Sequence, residues 1–323
     1  MQLTSAGVFY LGTASIGQGY LDMKYTKPAL PFEKQADLLL SRGLVADRAH
    51  LIRRLGITSY FRLSTYLYHF RVVGTDNFQP GTTLESVMQI YRFDQRLRTL
   101  MLDAIEVIEV YTRTQLAYHF ANDFGPFAYA NASYFPNLRR DQFLEWQRKL
   151  DDQAQRSLRS KEEFVTHFFN KYGDEHTRLP IWMLVELMDF GSTLTFFRGA
   201  NDDIKKRIAG AIGQPDRVIM SWLLALNTIR NRCAHHARLW DWEIGTPVLI
   251  PQQRKFPSWH APLLPNSRVG IALTISRYWQ NQISPTNAWT QRIWALFDEF
   301  PLIDPTRMGL TLDWRNHPLW QSS

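Results

Sequence analysis

The residues best suited to chemistry lie in one short segment, 227–238. The segment carries two amides, three guanidiniums and two adjacent imidazoles: Asn227, Asn231, Arg230, Arg232, Arg238, His235 and His236. Apolar residues precede it at helical spacing, so these polar groups are predicted at the end of an apolar helix. On an ideal helix, Arg230 lies about 60° to one side of Asn227, and Asn231 and His235 lie about 40° and 80° to the other. One arc would then hold two amides, a guanidinium and an imidazole.

These groups are sufficient for metal-free cleavage of RNA. A neutral imidazole can take the proton from a ribose 2′-hydroxyl, whose oxygen attacks the adjacent phosphorus. A guanidinium stabilises the charge that develops on the phosphoryl oxygens. DNA lacks the 2′-hydroxyl, so this chemistry would be specific for RNA. The structural alternative is a helix end at which arginine and histidine interact favourably with the helix dipole.

Other catalytic chemistries have weaker support in the sequence. Cys233 lies beside His235, which suggests a thiol–imidazole pair, but a lone cysteine on a periodic helix is usually part of the core. Adjacent residues such as His235 and His236 point about 100° apart on a helix, so they do not easily share one metal ion. The sequence has no glycine-rich phosphate loop, no HExxH zinc helix and no GxSxG elbow. We therefore predict no cofactor and no bound metal.

A long predicted helix carries a second set of charged residues. Glu106, Glu109 and Arg113 form a polar stripe, in which Glu109 and Arg113 have the favourable i,i+4 order. This stripe either faces a polar partner such as Arg230 or Arg232, or is a solvated face with one salt bridge. Both interpretations fit the sequence.

The charge of the whole chain favours an anionic partner. Lysine and arginine total 37 against 30 acidic residues, a net charge of +7, and 28 of the 37 are arginine. Arginine suits bidentate phosphate contacts, so nucleic acid is the first expectation and a membrane surface the second. Arg139-Arg140 and the run 205–207 could contact phosphates nonspecifically. A merely soluble surface is the alternative in each case.

Apolar periodicity predicts an all-α protein. Glycine, proline and capping residues predict where the helices begin and end. The predicted helices span 32–42, 47–56, 59–71, 83–122, 140–158, 161–172, 180–189, 201–212, 216 into the 230–236 segment, 267–283 and 287–299. Gly43 is expected just after the first helix, Pro180 at the first position of its helix, and Asp216 as a cap. Residues 247–265 read as a linker or packed loop.

The length of 323 residues permits one large domain or two smaller ones. We predict an N-terminal helical region at 23–80, a helical bundle at 83–240 and a C-terminal helical extension at 241–323. Residues 1–22 are too polar and glycine-rich to span a membrane, so they are expected to be a disordered leader or to follow an upstream start codon. The single cysteine excludes a disulfide framework and fits the cytoplasm.

Residues 230–240, RNRCAHHARLW, resemble the RNxCAHHxRLW signature of the Abi-like family of abortive-infection proteins. The resemblance covers most of residues 24–240, because further blocks match: 35–44, 60–66, 91–98, 105–113, 180–183 and 190–191. One block departs from the family, since its usual Asn-Tyr-Tyr-Arg reads Thr58-Ser59-Tyr60-Phe61-Arg62 here.

The resemblance implies a HEPN-like helical bundle and a metal-independent endoribonuclease of bacterial anti-phage defence. In such proteins the R-x4–6-H motif is catalytic, which carries over to Arg230 and His235 with Asn231, or to His236 at the longer spacing. Arg232, Arg238 and Asn227 would then bind the substrate, supported by the Glu106, Glu109 and Arg113 stripe. The resemblance also implies RNA as partner, a homodimer that assembles one site from two motifs, and a small noncoding RNA or antitoxin.

Two other functions fit the same sequence. The chain could be a non-catalytic RNA-binding or regulatory module on a HEPN-like scaffold, or a scaffold for proteins only. The intact trio Arg230, Asn231 and His235 favours cleavage, because a pure binder needs arginine but has no reason to keep both histidines.

Overall fold

The computed structural model describes residues 28–321, and this part of the chain contains thirteen α-helices and no β-strand. The prediction of an all-α fold is confirmed. The helices are α1 (Phe32–Ser41), α2 (Arg48–Thr58), α3 (Tyr60–Leu67), α4 (Leu84–Phe124), α5 (Arg140–Arg159), α6 (Glu163–Tyr172), α7 (Ile181–Leu187), α8 (Phe190–Gly199), α9 (Asp202–Ala211), α10 (Asp216–Ala234), α11 (Val269–Ile283), α12 (Trp289–Glu299) and α13 (Pro318–Gln321). The leader predicted at 1–22 lies outside the described residues.

Helix α4 is the central element, and helices α3 and α7 to α12 all pack against it. A capping box starts it. The Thr83 hydroxyl accepts from the Ser86 amide at 3.0 Å, and the Ser86 hydroxyl accepts from the Thr83 amide at 3.2 Å. Gly125, with φ +93°, ends it. The prediction of one long helix over 83–122 is therefore correct to within two residues at each end.

Helix α10 packs its apolar side against α4, as the apolar stripes of the two helices predict. Its fully buried residues repeat at spacings of three and four: Ile219, Trp222, Leu223, Leu226 and Ile229. The chain beyond α10 lies beside Asp94, near the start of α4, so the two helices run antiparallel. Burial raises the pKa of the Glu109 carboxyl, and Arg230, near the end of α10, lies close enough to oppose that shift, so the polar end of α10 lies over the middle of α4.

Several helix ends differ from the predictions. The second helix does not stop at Gly56 but continues to Thr58, where Ser59 takes φ +63° and caps α3 by accepting from the Arg62 amide. The third helix ends at Leu67 and is followed by a 3₁₀ turn, because the chain turns into the loop after residue 70.

The segment 180–200 contains two helices, where the sequence pattern predicts one. Pro180 occupies the cap position and not the first turn, and α7 ends at Leu187. Asp189 then accepts from the Ser192 amide at 2.7 Å and starts α8, which the pattern does not predict. Similarly, Pro215 and not Asp216 occupies the cap of α10, and no side chain caps that end.

The C-terminal residues pack directly onto α4. Helices α11 and α12 both contact it, and the Trp289 indole donates to the Leu100 carbonyl at 2.7 Å. The domain boundary at 241 stays a prediction. Within residues 28–321, every helix is too short or too polar to cross a membrane.

Candidate functional site

The polar motif occupies a sharp reversal at the end of α10. The helix ends at Ala234, His235 is its C-cap, and His236 adopts the left-handed conformation with φ +56°. The His236 amide donates to the Cys233 carbonyl at 3.0 Å, and the Ala237 amide donates to the Arg232 carbonyl at 3.0 Å. This is the hydrogen-bond pattern of a Schellman motif, in which the left-handed position is usually glycine. A histidine therefore occupies a position that disfavours it.

The motif residues whose side chains are accessible to solvent lie together at this helix end. Asn231, His235 and His236 are exposed, and Asn227 and Arg230 are half-buried. The Arg230 guanidinium donates to the Asn231 side-chain oxygen at 3.4 Å. The helix ends before the histidines, but His235 keeps the helical bond to the Asn231 carbonyl at 2.9 Å. The position around the helix axis that an ideal helix predicts thus applies to His235 but not to His236.

Arg232 and Arg238 are held by contacts inside the chain. Arg232 donates to the Arg238 carbonyl and lies 4.4 Å from the centre of the Trp242 ring. Burial, and secondly the charge of Arg238, lower the pKa of Arg232 to about 10. Arg238 donates to the Thr65 carbonyl at 3.1 Å and contacts the His69 ring. Their guanidiniums secure the turn, and a role in binding substrate stays a prediction.

A buried carboxylate holds the chain that leaves the motif. Asp94 of α4 is 0% exposed. One oxygen accepts from the backbone amides of Leu239 at 2.9 Å and Trp240 at 2.5 Å. The other accepts from the Tyr66 hydroxyl at 2.6 Å and from the Arg98 guanidinium. Sequence reasoning missed this residue, although an acid four residues before an arginine on an apolar helix was a visible signal.

The charges in this network support one another. Burial by itself lowers the pKa of Arg98. The Asp94 carboxylate and the Tyr66 hydroxyl raise it by more, so the pKa of Arg98 lies above its usual value. Burial, then the neighbouring carboxylate, raises the pKa of Tyr66 well above its usual value. Asp94 thus accepts from four donors, one of them a cation, and is a fully satisfied buried group.

Helix α3 holds the motif turn from the other side. Arg62 donates to the His236 carbonyl, and its Nε lies 3.4 Å from the Tyr91 hydroxyl. Since Thr65 accepts from Arg238, two residues of α3 contact the segment 236–238. Two residues of the resemblance block at 60–66, Arg62 and Thr65, therefore contact the motif turn directly.

The C-terminal extension reaches the same region through His69. The His69 Nδ1 lies 3.3 Å from the Asp241 carboxylate and 2.9 Å from the Arg307 guanidinium, and its Nε2 faces Arg238. Burial, then the charges of Arg238 and Arg307, lower the pKa of His69 to about 3. Asp241 also pairs with Arg268 at 2.5 Å. His69 is therefore neutral at physiological pH.

The polar stripe of Glu106, Glu109 and Arg113 on α4 is partly exposed and partly buried. Glu106 is exposed, whereas Glu109 is 7% exposed and pairs with Arg113 at 2.7 Å. Arg113 also donates to the Val185 carbonyl at 3.2 Å. Burial raises the pKa of Glu109, and the nearby charges of Arg113 and Arg230 oppose that shift. Glu109 is therefore the member of the stripe that faces the motif.

Cys233 is part of the core. It is 1% exposed, and burial, followed by the charge of Asp94, raises the pKa of its thiol to about 12. A thiol with this pKa is protonated at neutral pH, so it cannot act as the nucleophile of a thiol–imidazole pair. Among residues 28–321, His, Cys, Asp and Glu side chains form no group of three or more that could hold a metal ion.

A family model described as "Abi-like protein" matches residues 53–241, which is more than half of the chain. The matched range contains the motif turn, the Asp94 network and α3, and it ends at Asp241, before Arg268 and Arg307. No curated protein and no solved structure matches the chain.

Proposed function

Because the chain belongs to the Abi-like protein family, which suggests a role in abortive infection, we propose that it is a bacterial anti-phage protein that cleaves RNA without a metal. One observation carries the proposal: the open side chains of Arg230, Asn231, His235 and His236 lie at the end of α10, on a turn secured from behind by a buried network. A turn that served only to end the helix would have no need of four accessible groups that can transfer protons or bind phosphate.

The reaction requires a base, an acid and a positive charge between them. A neutral imidazole of the motif takes the 2′-hydroxyl proton, and the oxygen attacks the adjacent phosphorus. The bond from phosphorus to the 5′-oxygen breaks, and a protonated imidazole gives that oxygen its proton. The products are a 2′,3′-cyclic phosphate and a 5′-hydroxyl. Arg230 stabilises the charged phosphorane, and Asn231 orients the Arg230 guanidinium through their mutual contact.

Either histidine fits the role of base. His235 follows Arg230 on the same helical path, since it keeps the bond to Asn231. His236 has its backbone fixed by Arg62 and a strained conformation, and such strain is concentrated at functional sites. Alanine substitution of each histidine separately assigns the base.

The proposal includes a homodimer. On an ideal helix Arg230 and His235 diverge by about 140°, so one chain presents them to different sides of a phosphate. Two copies related by a two-fold axis would supply a base, an acid and both arginines to one cleft. Mixing Arg230→Ala with His235→Ala protein should then not restore full cleavage, because the shared cleft of the mixed dimer keeps only one Arg230 and one His235. A monomer in light scattering that still cuts RNA would contradict this arrangement.

The test of cleavage is incubation of purified protein with end-labelled RNA in excess EDTA. We expect cleavage that leaves a 2′,3′-cyclic phosphate. Arg230→Ala should lower the rate by about 10²–10³-fold, the typical effect of losing one stabilising donor. Arg217→Ala is the matched control, since Arg217 is exposed at the other end of the same helix. RNA that is bound but intact would instead identify a non-catalytic RNA-binding module.

We also propose that a small noncoding RNA or an antitoxin restrains the protein in uninfected cells, because uncontrolled RNA cleavage is toxic. Expression of the chain alone should arrest growth, and Arg230→Ala should relieve the arrest. Normal growth at full expression of the unaltered chain would argue against a restraining partner.

A further inference from the structure

We propose that Asp94 is the positioning residue of the motif turn: its carboxylate fixes the backbone at Leu239 and Trp240 and thereby the orientation of His235 and His236. The side chain is 0% exposed, so it cannot touch RNA and is not itself catalytic. Asp94 lies about 145 residues from the motif turn in sequence, and these two hydrogen bonds connect them.

The contacts assign different tasks to the two carboxylate oxygens. One oxygen holds the turn, because it accepts both backbone hydrogen bonds, at 2.9 Å from the Leu239 amide and 2.5 Å from the Trp240 amide. The other oxygen fixes the carboxylate itself through Tyr66 and Arg98. Arg98 and Tyr66 therefore hold the carboxylate in the orientation in which its other oxygen meets the two amides.

The hydrogen bonds to Asp94 lie where they can fix the motif turn. The Schellman pattern closes at Ala237, and the amides held by Asp94 follow two and three residues later. The turn is thus fixed at both ends, by α10 before it and by Asp94 after it, with Arg62 bonded to its middle at the His236 carbonyl. Loss of the second end would leave the turn tied to α10, to Arg62 and to the side-chain contacts of Arg232 and Arg238.

A simple Asp94 substitution would also leave the buried charge of Arg98 unpaired, which destabilises the fold. The informative pair of variants therefore removes that charge in both. Asp94→Asn with Arg98→Met keeps a side-chain oxygen for the two amides, and the new amide nitrogen faces Tyr66, whose hydroxyl can accept. Asp94→Leu with Arg98→Met has the same branching at Cγ and no acceptor.

The first measurement does not depend on any activity. Amide hydrogen exchange at Leu239 and Trp240, and the imidazole NMR signals of His235 and His236, should match the unaltered protein in the Asn variant. In the Leu variant the two amides should lose protection and the imidazole signals should shift. Unchanged signals in the Leu variant would overturn the proposal, even if the protein proved not to cleave RNA.

The second measurement rests on the proposed cleavage. We expect kcat to fall by about 10²-fold in the Leu variant with KM unchanged, because a displacement on the order of 1 Å costs that much. The Asn variant should stay within about 3-fold of the unaltered protein under the same displacement argument. Equal kcat in the two variants would refute the positioning role, while absence of cleavage by the unaltered protein would refute only the proposed function.

A third variant covers the case in which the Leu protein fails to fold. Asp94→Glu keeps the charge for Arg98 but moves the carboxylate by one methylene. The imidazole signals should shift and kcat should fall, again without a change in KM. Signals and kcat equal to those of the unaltered protein would contradict the proposal.

Discussion

His69 should make the fold sensitive to acid. Its side chain is 9% exposed and lies among Arg238, Arg307 and Asp241. Burial and the two arginines lower its pKa to about 3, against 6.5 for an unperturbed histidine. Between these two values the unfolded chain binds the proton and the folded chain does not. The stability contributed by neutral His69 is therefore complete above pH 6.5 and lost as the pH falls towards 3.

The size of the effect follows from the pKa difference. One pKa unit corresponds to about 1.4 kcal/mol, so a change from pH 7.5 to 4.5 should cost about 2–3 kcal/mol through this group. His69→Gln removes the titration and keeps both contacts, since its oxygen can accept from Arg238 and its amide can donate to Asp241. The variant loses the edge-to-face ring contacts with Trp240 and Tyr68 and the contact of the imidazole Nδ1 with Arg307. Aromatic contacts of this kind contribute about 1 kcal/mol.

The assay is urea unfolding at pH 7.5, 5.5 and 4.5. The unaltered protein should lose about 2–3 kcal/mol more than His69→Gln over this range. His50→Gln is the control, because His50 is exposed, and it should lose as much as the unaltered protein. All three proteins contain the same carboxylates, so the difference between them reports on the substituted histidine. Parallel losses in His69→Gln and the unaltered protein would refute the reasoning.

Three further predictions concern single residues. The pKa of the buried Cys233 thiol is about 12, so its thiolate fraction at pH 8 is on the order of 10⁻⁴. A thiol reagent should label it only after unfolding, and labelling at the rate of a free thiol would contradict its burial. Glycine at position 236 would relieve the left-handed strain at φ +56°. His236→Gly should therefore raise the free energy of unfolding in urea titrations by about 1 kcal/mol; His235→Gly should not, and a less stable His236→Gly protein would argue against the strain. Burial raises the pKa of Glu109 above its usual value in the unfolded chain, so its contribution to stability falls as the pH rises through the window above that value. Glu109→Gln should flatten that fall in urea titrations at pH 4 and 7, the exposed Glu106→Gln should not, and identical slopes for the two variants would disprove the assignment.

The sequence predicts what depends on local periodicity. The apolar stripes of α4 and α10 repeat every three to four residues, so both helices and their packing follow from the pattern. The charged segment at the end of α10 also stands out by residue type. Helix ends depend on weaker signals. Glycines at 191 and 199 disfavour a helix there, so the pattern does not predict α8, and a histidine at 236 does not indicate a left-handed turn.

The sequence does not predict contacts between distant segments. The charges of Arg232 and Arg238 predict a substrate-binding role, which stays a prediction, but their contacts with two backbone carbonyls and Trp242 could not be predicted from the sequence. Asp94 and Arg62 reach the motif from about 145 and 174 residues away, and no spacing rule connects such positions. These anchors become visible only when α3, α4 and α10 are placed together.

The most direct test of metal-free RNA cleavage uses one chemical group on the substrate. An RNA oligonucleotide is cut by the purified protein in EDTA, the cleaved bond is mapped, and the same oligonucleotide is made with a single 2′-deoxy residue on the 5′ side of that bond. We expect cleavage at this bond to disappear while the strand is still bound. Continued cleavage there, or no cleavage of the unmodified RNA, would contradict it.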